Sequence, residues 1–485
     1  MQTRRPLVIA AIMASFAMVA LEATIVSTAM PQIVSRLGGL NLYTWVFATF
    51  LLTQTAMTVV FGKLADIYGR KPMVLAGVAI FLLGSVLAGF AHSMPAMLVY
   101  RLIQGVGAGA IMPVAMTIVG DLYPAHERGK IQGYLASVWA TSAVFGPMAG
   151  SLIISVTSWS WIFWINVPIG LLAAAGFVLY LHEDVAPRRP AIDYAGAALF
   201  TVAIAALMMA LTDAEGGHHA RVGVEVAVLV VSAVLFVFQE RRAADPMVSF
   251  ALWSRRPIAV CNAAALFSGM AMMGLTAFVP MYVQIVLGRT PVVAGLALTM
   301  MMVGWPSGAT IAAKAYQRIG LRRMLVAGSA FVPLGAAVFV WLTPASHPMW
   351  AGAGSLVLGF GMGLISVGSL IVIQDSVVLA ERGSATASNL FSRNLGNTLG
   401  ASLLGAIQAY TLARSGNVTA DQLRHLLDAP AAMPGAAGEA VRYALQHSLH
   451  ATFLVMLVIA LGVVAAMLLL PPVQVSGKHE TAMIE

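Results

Sequence analysis

Charge is what this sequence has least of: only 9% of its 485 residues are Asp, Glu, Lys or Arg. A soluble globular chain carries roughly one-quarter, and no aqueous surface can be assembled from so little. Lipid must therefore be the solvent for most of the length. The 60% hydrophobic content and mean hydropathy of +0.87 require the same. Cysteine is nearly absent, and the single Cys261 excludes an intramolecular disulfide. The zinc motif His-Glu-x-x-His, the Cys-x-x-Cys pair and the nucleotide loop Gly-x-x-x-x-Gly-Lys-Ser/Thr are all missing. No long soluble stretch is left to house chemistry. The sequence thus predicts no enzyme, no cofactor, no metal and no use of ATP. The net charge of +8 does not point to nucleic acid. Its basic residues sit in short gaps between apolar runs, where they orient membrane helices.

A bilayer core of about 30 Å takes about 20 helical residues. Fourteen apolar runs meet that need, the first seven near 7–30, 43–62, 73–91, 95–120, 130–154, 160–181 and 194–212. Seven more lie near 223–239, 258–287, 292–313, 324–343, 348–374, 384–412 and 449–471. The first run reaches Met30, too long for the core of a signal peptide, and is read as a retained helix. Positive charge then orients the chain. With both termini cytoplasmic, nineteen Lys and Arg fall on the cytoplasmic side, six outside and two within helices, which accounts for all 27. The outer connection at 413–448 is the longest, and Thr419 to Gln422 reads as a capping box opening a short helix there.

The trio Glu127-Arg128-Gly129 recurs as Glu381-Arg382-Gly383, and Gly105, Gly107 and Gly109 recur as Gly359, Gly361 and Gly363, both at an offset of 254 residues. Two matches at one spacing imply duplication. The expected architecture is an all-α membrane protein with an N-terminal six-helix bundle at 1–185, two inserted helices at 186–256 and a C-terminal six-helix bundle at 257–485. Duplicated bundles around a midplane site permit alternating access. Glycines at this spacing also allow helices to approach closely.

Several local motifs are more specific. Gly62-Lys-Leu-Ala-Asp66-Ile-Tyr-Gly69-Arg70-Lys71 lies between the second and third runs, with a degenerate copy at Lys314 to Arg323 that keeps Gly320 but has Gln317 in place of the acid. Physically, Gly62 allows close helix approach and Gly69 relieves a turn. Asp66 can face a helix N-terminus or a basic partner and so latch the cytoplasmic side. Arg101-Leu-Ile-Gln104-Gly105 falls in the fourth run, and Gly133, Gly146, Pro147 and Gly150 fall in the fifth, where Ser142 and Ser151 stand at two further small-residue positions. Leu21-Glu22-Ala-Thr24 to Pro31 lies in the first run, and Trp161-Ile-Phe-Trp-Ile-Asn166-Val-Pro168-Ile-Gly170 in the sixth. Over nearly its whole length the chain resembles the fourteen-helix drug:proton antiporter branch of the major facilitator superfamily. That resemblance implies a multidrug efflux transporter in a bacterial cell membrane, read here as a monomer. Its partners would be protons and amphipathic or cationic small molecules. A narrower exporter of a metabolite, lipid or siderophore is the alternative.

Glu22 and Arg101 lie deep in their runs. A central charge costs about 2.5–3.5 kcal/mol on insertion scales, so such residues usually face the interior and act. Glu22 either exchanges a proton against cationic cargo or forms a permanent ion pair, and Arg101 either aids coupling or braces two helices. Candidate cargo contacts are Glu22, Gln54, Gln104, Asn262, Gln284, Asn389 and Arg393, with interhelical hydrogen bonding the other reading for the neutral ones. Gly304-Trp305-Pro306-Ser307-Gly308 reads either as a packing kink or as a break near the middle of its helix that offers Trp305 to cargo.

Overall fold

The computed structural model describes residues 3–37, 43–183, 193–215, 219–243, 249–414 and 436–472, and among them there is helix and turn but no strand. In lipid each backbone N–H and C=O must be satisfied within its own segment, which a helix achieves. The first nine helices are α1 (Arg5–Leu37), α2 (Tyr43–Tyr68), α3 (Arg70–Gly89), α4 (Met94–Leu122), α5 (Ala125–Val156), α6 (Trp161–Trp164), α7 (Asn166–Tyr180), α8 (Tyr194–Glu215) and α9 (His219–Arg242). They are followed by α10 (Phe250–Trp253), α11 (Arg256–Met281), which ends in a π turn (Tyr282–Val286), α12 (Pro291–Ile319), α13 (Leu321–Val340), α14 (Met349–Asp375), α15 (Arg382–Arg414) and α16 (Ala436–Leu468). Eleven described helices are long and apolar enough to cross a membrane. The long helices outside that set are α5, α8, whose described apolar run is only Ala195–Leu207, and α15. The first half of α15 is polar, with Ser388, Asn389, Ser392, Arg393, Asn394 and Asn397 in close succession.

The helix around Pro306 is not broken: α12 runs on to Ile319. Pro306 has no N–H to offer the Met302 carbonyl, and in the same turn Ser307 Oγ donates to the Val303 carbonyl at 2.7 Å. Helix α16 begins at Ala436, inside the stretch read as the outer connection. The capping box at Thr419 to Gln422 lies outside the described residues.

The chain forms two units, one from Met1–Arg255 with Ser376–Phe391 and the other from Arg256–Asp375 with Ser392–Glu485. In the first, the repeated glycines of α4 face two neighbours. A Cβ on Gly105 would strike Phe50 and Thr53 of α2, and one on Gly109 would lie 2.7 Å from the Gln54 carbonyl of the same helix. One on Gly107 would lie 2.6 Å from the Gly77 carbonyl of α3. In the second unit, α14 repeats the arrangement. Gly359 and Gly363 face Met301 and Trp305 of α12, while Gly361 faces Phe331 and Val332 of α13. The sequence offset thus corresponds to one helix wedged between two others, built twice.

The turns before α3 and α13 are equivalent as well. Gly69 has φ 95 and ψ 159, and Gly320 has φ 84 and ψ 151, a region essentially closed to residues with a Cβ. Gly69→Ala and Gly320→Ala should each cost about 1–3 kcal/mol, measured as a lowered melting temperature in detergent. An unchanged melting temperature would show that the turn relaxes.

Candidate functional site

A polar network lies inside the first unit, surrounded by apolar helix. Glu22 of α1, Ser85 of α3, Gln104 of α4 and Asn166 of α7 are fully buried, and Arg101 of α4 is 1% exposed. Arg101 Nη1 is ion-paired with Glu22 Oε1 and donates to Gln104 Oε1 at 2.6 Å. Its Nε donates to the Val46 carbonyl at 3.1 Å, and the guanidinium lies 4.4 Å from the Phe50 ring centroid. Asn166 Nδ2 donates to the other Glu22 oxygen at 2.7 Å. Ser85 Oγ accepts from Gln104 at 2.7 Å and from Asn166 at 3.2 Å.

The chain geometry explains how these groups meet. Ile165 keeps helical angles (φ −59, ψ −25), so Trp161–Tyr180 runs as one span that carries Asn166 to the buried Glu22. Towards the C-terminal half of α1, an apolar cluster including Ile25, Met30, Val46, Met97, Ile162 and Phe163 covers the network. Water is thereby excluded and the pair interacts in a low-dielectric setting. Removing one member of such a pair typically costs 3–5 kcal/mol, roughly, because the other charge is stranded. Here Arg101 keeps three further contacts, whereas Glu22 keeps only neutral donors.

A second cluster gathers at the α2–α3 turn of the same unit. Asp66 accepts from the N–H groups of Gly383 and Ser384 at 2.9 and 2.7 Å and from Ser384 Oγ at 2.8 Å. It therefore binds the N-terminus of α15, where orphan donors and the helix dipole favour an anion. Arg70 pairs with Asp66 at 3.3 Å and with Asp121 at 3.1 Å, and Arg382 reaches Asp121 at 3.2 Å. The N–H groups of Arg70 and Lys71 donate to the two Glu183 oxygens, and Lys71 Nζ caps the carbonyls of Val178 and Leu181. Gly62 is in contact with Ala387, which leaves no room for a side chain.

Of the residues singled out from sequence, Glu22, Arg101 and Gln104 are brought together, as are Gly62, Asp66, Gly69, Arg70 and Lys71. Gln54 is half-buried on α2 and outside the network, and Asn389 is buried on α15. Asn262, Gln284, Trp305 and Arg393 belong to the second unit. Gly133, Gly146 and Gly150 are buried on α5, and the Pro147 side chain lies outside the described residues. Sequence reasoning missed Ser85, Asp121, Glu183 and Ser384 as partners. Asp121 and Glu183 carried a usable signal as acids at ends of apolar runs, but a lone serine on a helix carries none. Among the described residues, no group of three or more His, Cys, Asp or Glu is placed to hold a metal.

Comparison with known proteins agrees with this architecture. Residues 12–401 match the family model of the Major Facilitator Superfamily. Multidrug resistance protein 3 of Bacillus subtilis is 33% identical over 445 residues, 90% of this chain and 84% of its own. Multidrug transporter protein MdtP of the same organism is 31% identical over 434 residues, 88% of this chain and 79% of its own. The human organic anion transporter MFSD10 (TETRAN) has the same fold, with a TM-score of 0.67 at 14% identity, covering 97% of this chain and 100% of that one. The chain belongs to the Major Facilitator Superfamily and is a multi-pass membrane transporter, not an enzyme.

Proposed function

We propose that this transporter is a proton-coupled antiporter of the fourteen-helix drug:proton branch, exporting amphipathic or cationic small molecules by alternating access. It acts as a monomer in the cell membrane with both termini cytoplasmic, in six-helix bundles at 1–185 and 257–485 joined by two inserted helices. The observation that carries this reading is the fully buried Glu22 held by Arg101. A proton and Arg101 compete for one carboxylate. When the proton wins, Gln104, the Val46 carbonyl and the Phe50 ring still hold the guanidinium, so the charge is not stranded. The carboxylate is closed off in this structure, so exchange with either side requires helix movement. The names of the two Bacillus relatives support multidrug cargo.

The cluster around Gly62, Asp66, Gly69, Arg70 and Lys71 serves as the cytoplasmic gate. Opening it means withdrawing Asp66 from the α15 N-terminus. Gly133, Gly146, Pro147 and Gly150 form the antiporter motif, and Gln54, Asn262, Gln284, Trp305, Asn389 and Arg393 are the proposed cargo contacts. The energy source suffices: one proton crossing 100 mV yields about 2.3 kcal/mol and one pH unit about 1.4, together enough for roughly a 500-fold gradient of neutral cargo without ATP. Inverted vesicles with an imposed proton gradient and a pH-sensitive dye test the proposal. Amphipathic cations such as ethidium should dissipate the gradient; if none of a broad panel does so, proton coupling fails.

A further inference from the structure

Asn166 has an unusual imbalance. Its Nδ2 serves two acceptors, Glu22 Oε2 at 2.7 Å and Ser85 Oγ at 3.2 Å, while its Oδ1 is buried with no hydrogen-bond partner. A buried unsatisfied acceptor costs about 1–3 kcal/mol, so the orientation must be held by what Nδ2 gains. That gain is largest while Glu22 is ionised, when both its oxygens accept and neither donates. If the amide turns over, Oδ1 faces Glu22 and Ser85 instead. Two acceptors then oppose each other unless Glu22 carries a proton, in which case its O–H donates to Oδ1 and the Ser85 hydroxyl can do the same. Each orientation leaves one amide group unpaired, so neither is locked in. Each fits one protonation state of Glu22.

Resting on the coupling role of Glu22 above, we infer that Asn166 is a positioning residue. It sets the proton affinity of Glu22 and reports its state to α3 and α7 by turning its amide, with Ser85 as the second contact. The other groups around Glu22 leave this role open. From α4 only Arg101 faces the carboxylate as a charge. Described α6 and α7 contain no acidic or basic residue. The charged residues of α5 are Glu127, Arg128 and Lys130 in its first turns; those of α3, Arg70 and Lys71, start that helix. On α2, Lys63 and Asp66 lie in the last turns. On α1 itself, Arg5 and Arg36 lie near opposite ends, each about 20–25 Å of helix from Glu22.

The test uses the full chain in lipid vesicles and infrared titration of the protonated-carboxyl band that Glu22→Gln removes. Asn166→Leu deletes a hydrogen bond to the charged form, so the proton is held to higher pH. The midpoint should move by about one to two pH units in the alkaline direction. Asn166→Ser, whose hydroxyl both donates and accepts, should return the midpoint towards wild type. A merely structural role would lower the yield of folded protein without moving the midpoint. A wild-type midpoint in Asn166→Leu overturns the inference, as does an equal shift in the leucine and serine variants. The coupling role itself is judged separately, by whether Glu22→Gln still exports ethidium against its gradient.

Discussion

Glu22→Gln is expected to abolish export driven by a proton gradient while leaving the protein inserted and folded. The substitution removes the only acidic group in the buried network but keeps its shape. The glutamine amide still offers an oxygen to Arg101, which also keeps Gln104, the Val46 carbonyl and the Phe50 ring. The about 3–5 kcal/mol normally lost when one member of a buried pair is removed should therefore be largely avoided. Transport differs, because an amide cannot take up and release the proton. Ethidium uptake into inverted vesicles should fall to the level of passive leak when a proton gradient is imposed. Exchange of ethidium down its own gradient should persist, since alternation does not itself need the charge. Arg101→Gln gives the complementary outcome. Without its counter-cation the carboxyl retains its proton, so coupled export is lost here too, with the protonated-carboxyl infrared band present at all tested pH values. If Glu22→Gln exports as wild type does, the carboxylate is a structural tie and the coupling group lies elsewhere.

Much of this arrangement was legible because lipid writes its constraints into sequence. Apolar runs mark helices, since every backbone group must be satisfied within its segment. The 254-residue offset marked the pairing of α4 with α14, because glycine is the residue that lets a helix backbone approach its neighbours. Glu22 and Arg101 stood out because charges at that depth are costly. What stayed hidden has no local signature. Ser85 is a small polar residue on an apolar helix, and Asn166 stands in the Trp161–Gly170 motif with no partner legible there; their roles come from which helices meet. Asp66 suggested a helix N-terminus or a cation, and it reaches both. That the helix would be α15, more than 300 residues away, could not be read from spacing. At Pro306 the packing reading, not the break, fits the structure, for a related reason. Gly304 and Gly308 face backbone of α14 at Leu356 and Phe360, so close packing keeps α12 continuous where local propensity favours a break.

The glycines of the repeat carry the second large effect, and their contacts predict an order. A Cβ on Gly107 would meet the backbone of α3, striking the Phe81 N–H and lying 2.6 Å from the Gly77 carbonyl. A Cβ on Gly359 would lie 2.5 Å from the Met301 carbonyl, and one on Gly363 would strike that of Trp305. Backbone cannot swing aside, so alanine at these three positions must force whole helices apart. Gly361 differs in degree: its nearest atoms are Phe331 Cβ at 2.9 Å and, at 3.0 Å, Val332 Cγ2 and the Val332 backbone nitrogen, so a shift of a few tenths of an ångström relieves it. Overpacking typically costs 1–3 kcal/mol, approximately, and occasionally more. Gly107→Ala, Gly359→Ala and Gly363→Ala should therefore lie at or above the top of that range and Gly361→Ala at its foot. Fluorescence-detected size-exclusion after heating reads this directly, with the first three variants losing the monodisperse peak several degrees below wild type. Equal losses at all four positions would mean that the wedge yields as a unit, and that the close backbone approach in α3–α4 and α12–α14 is not what fixes these helices.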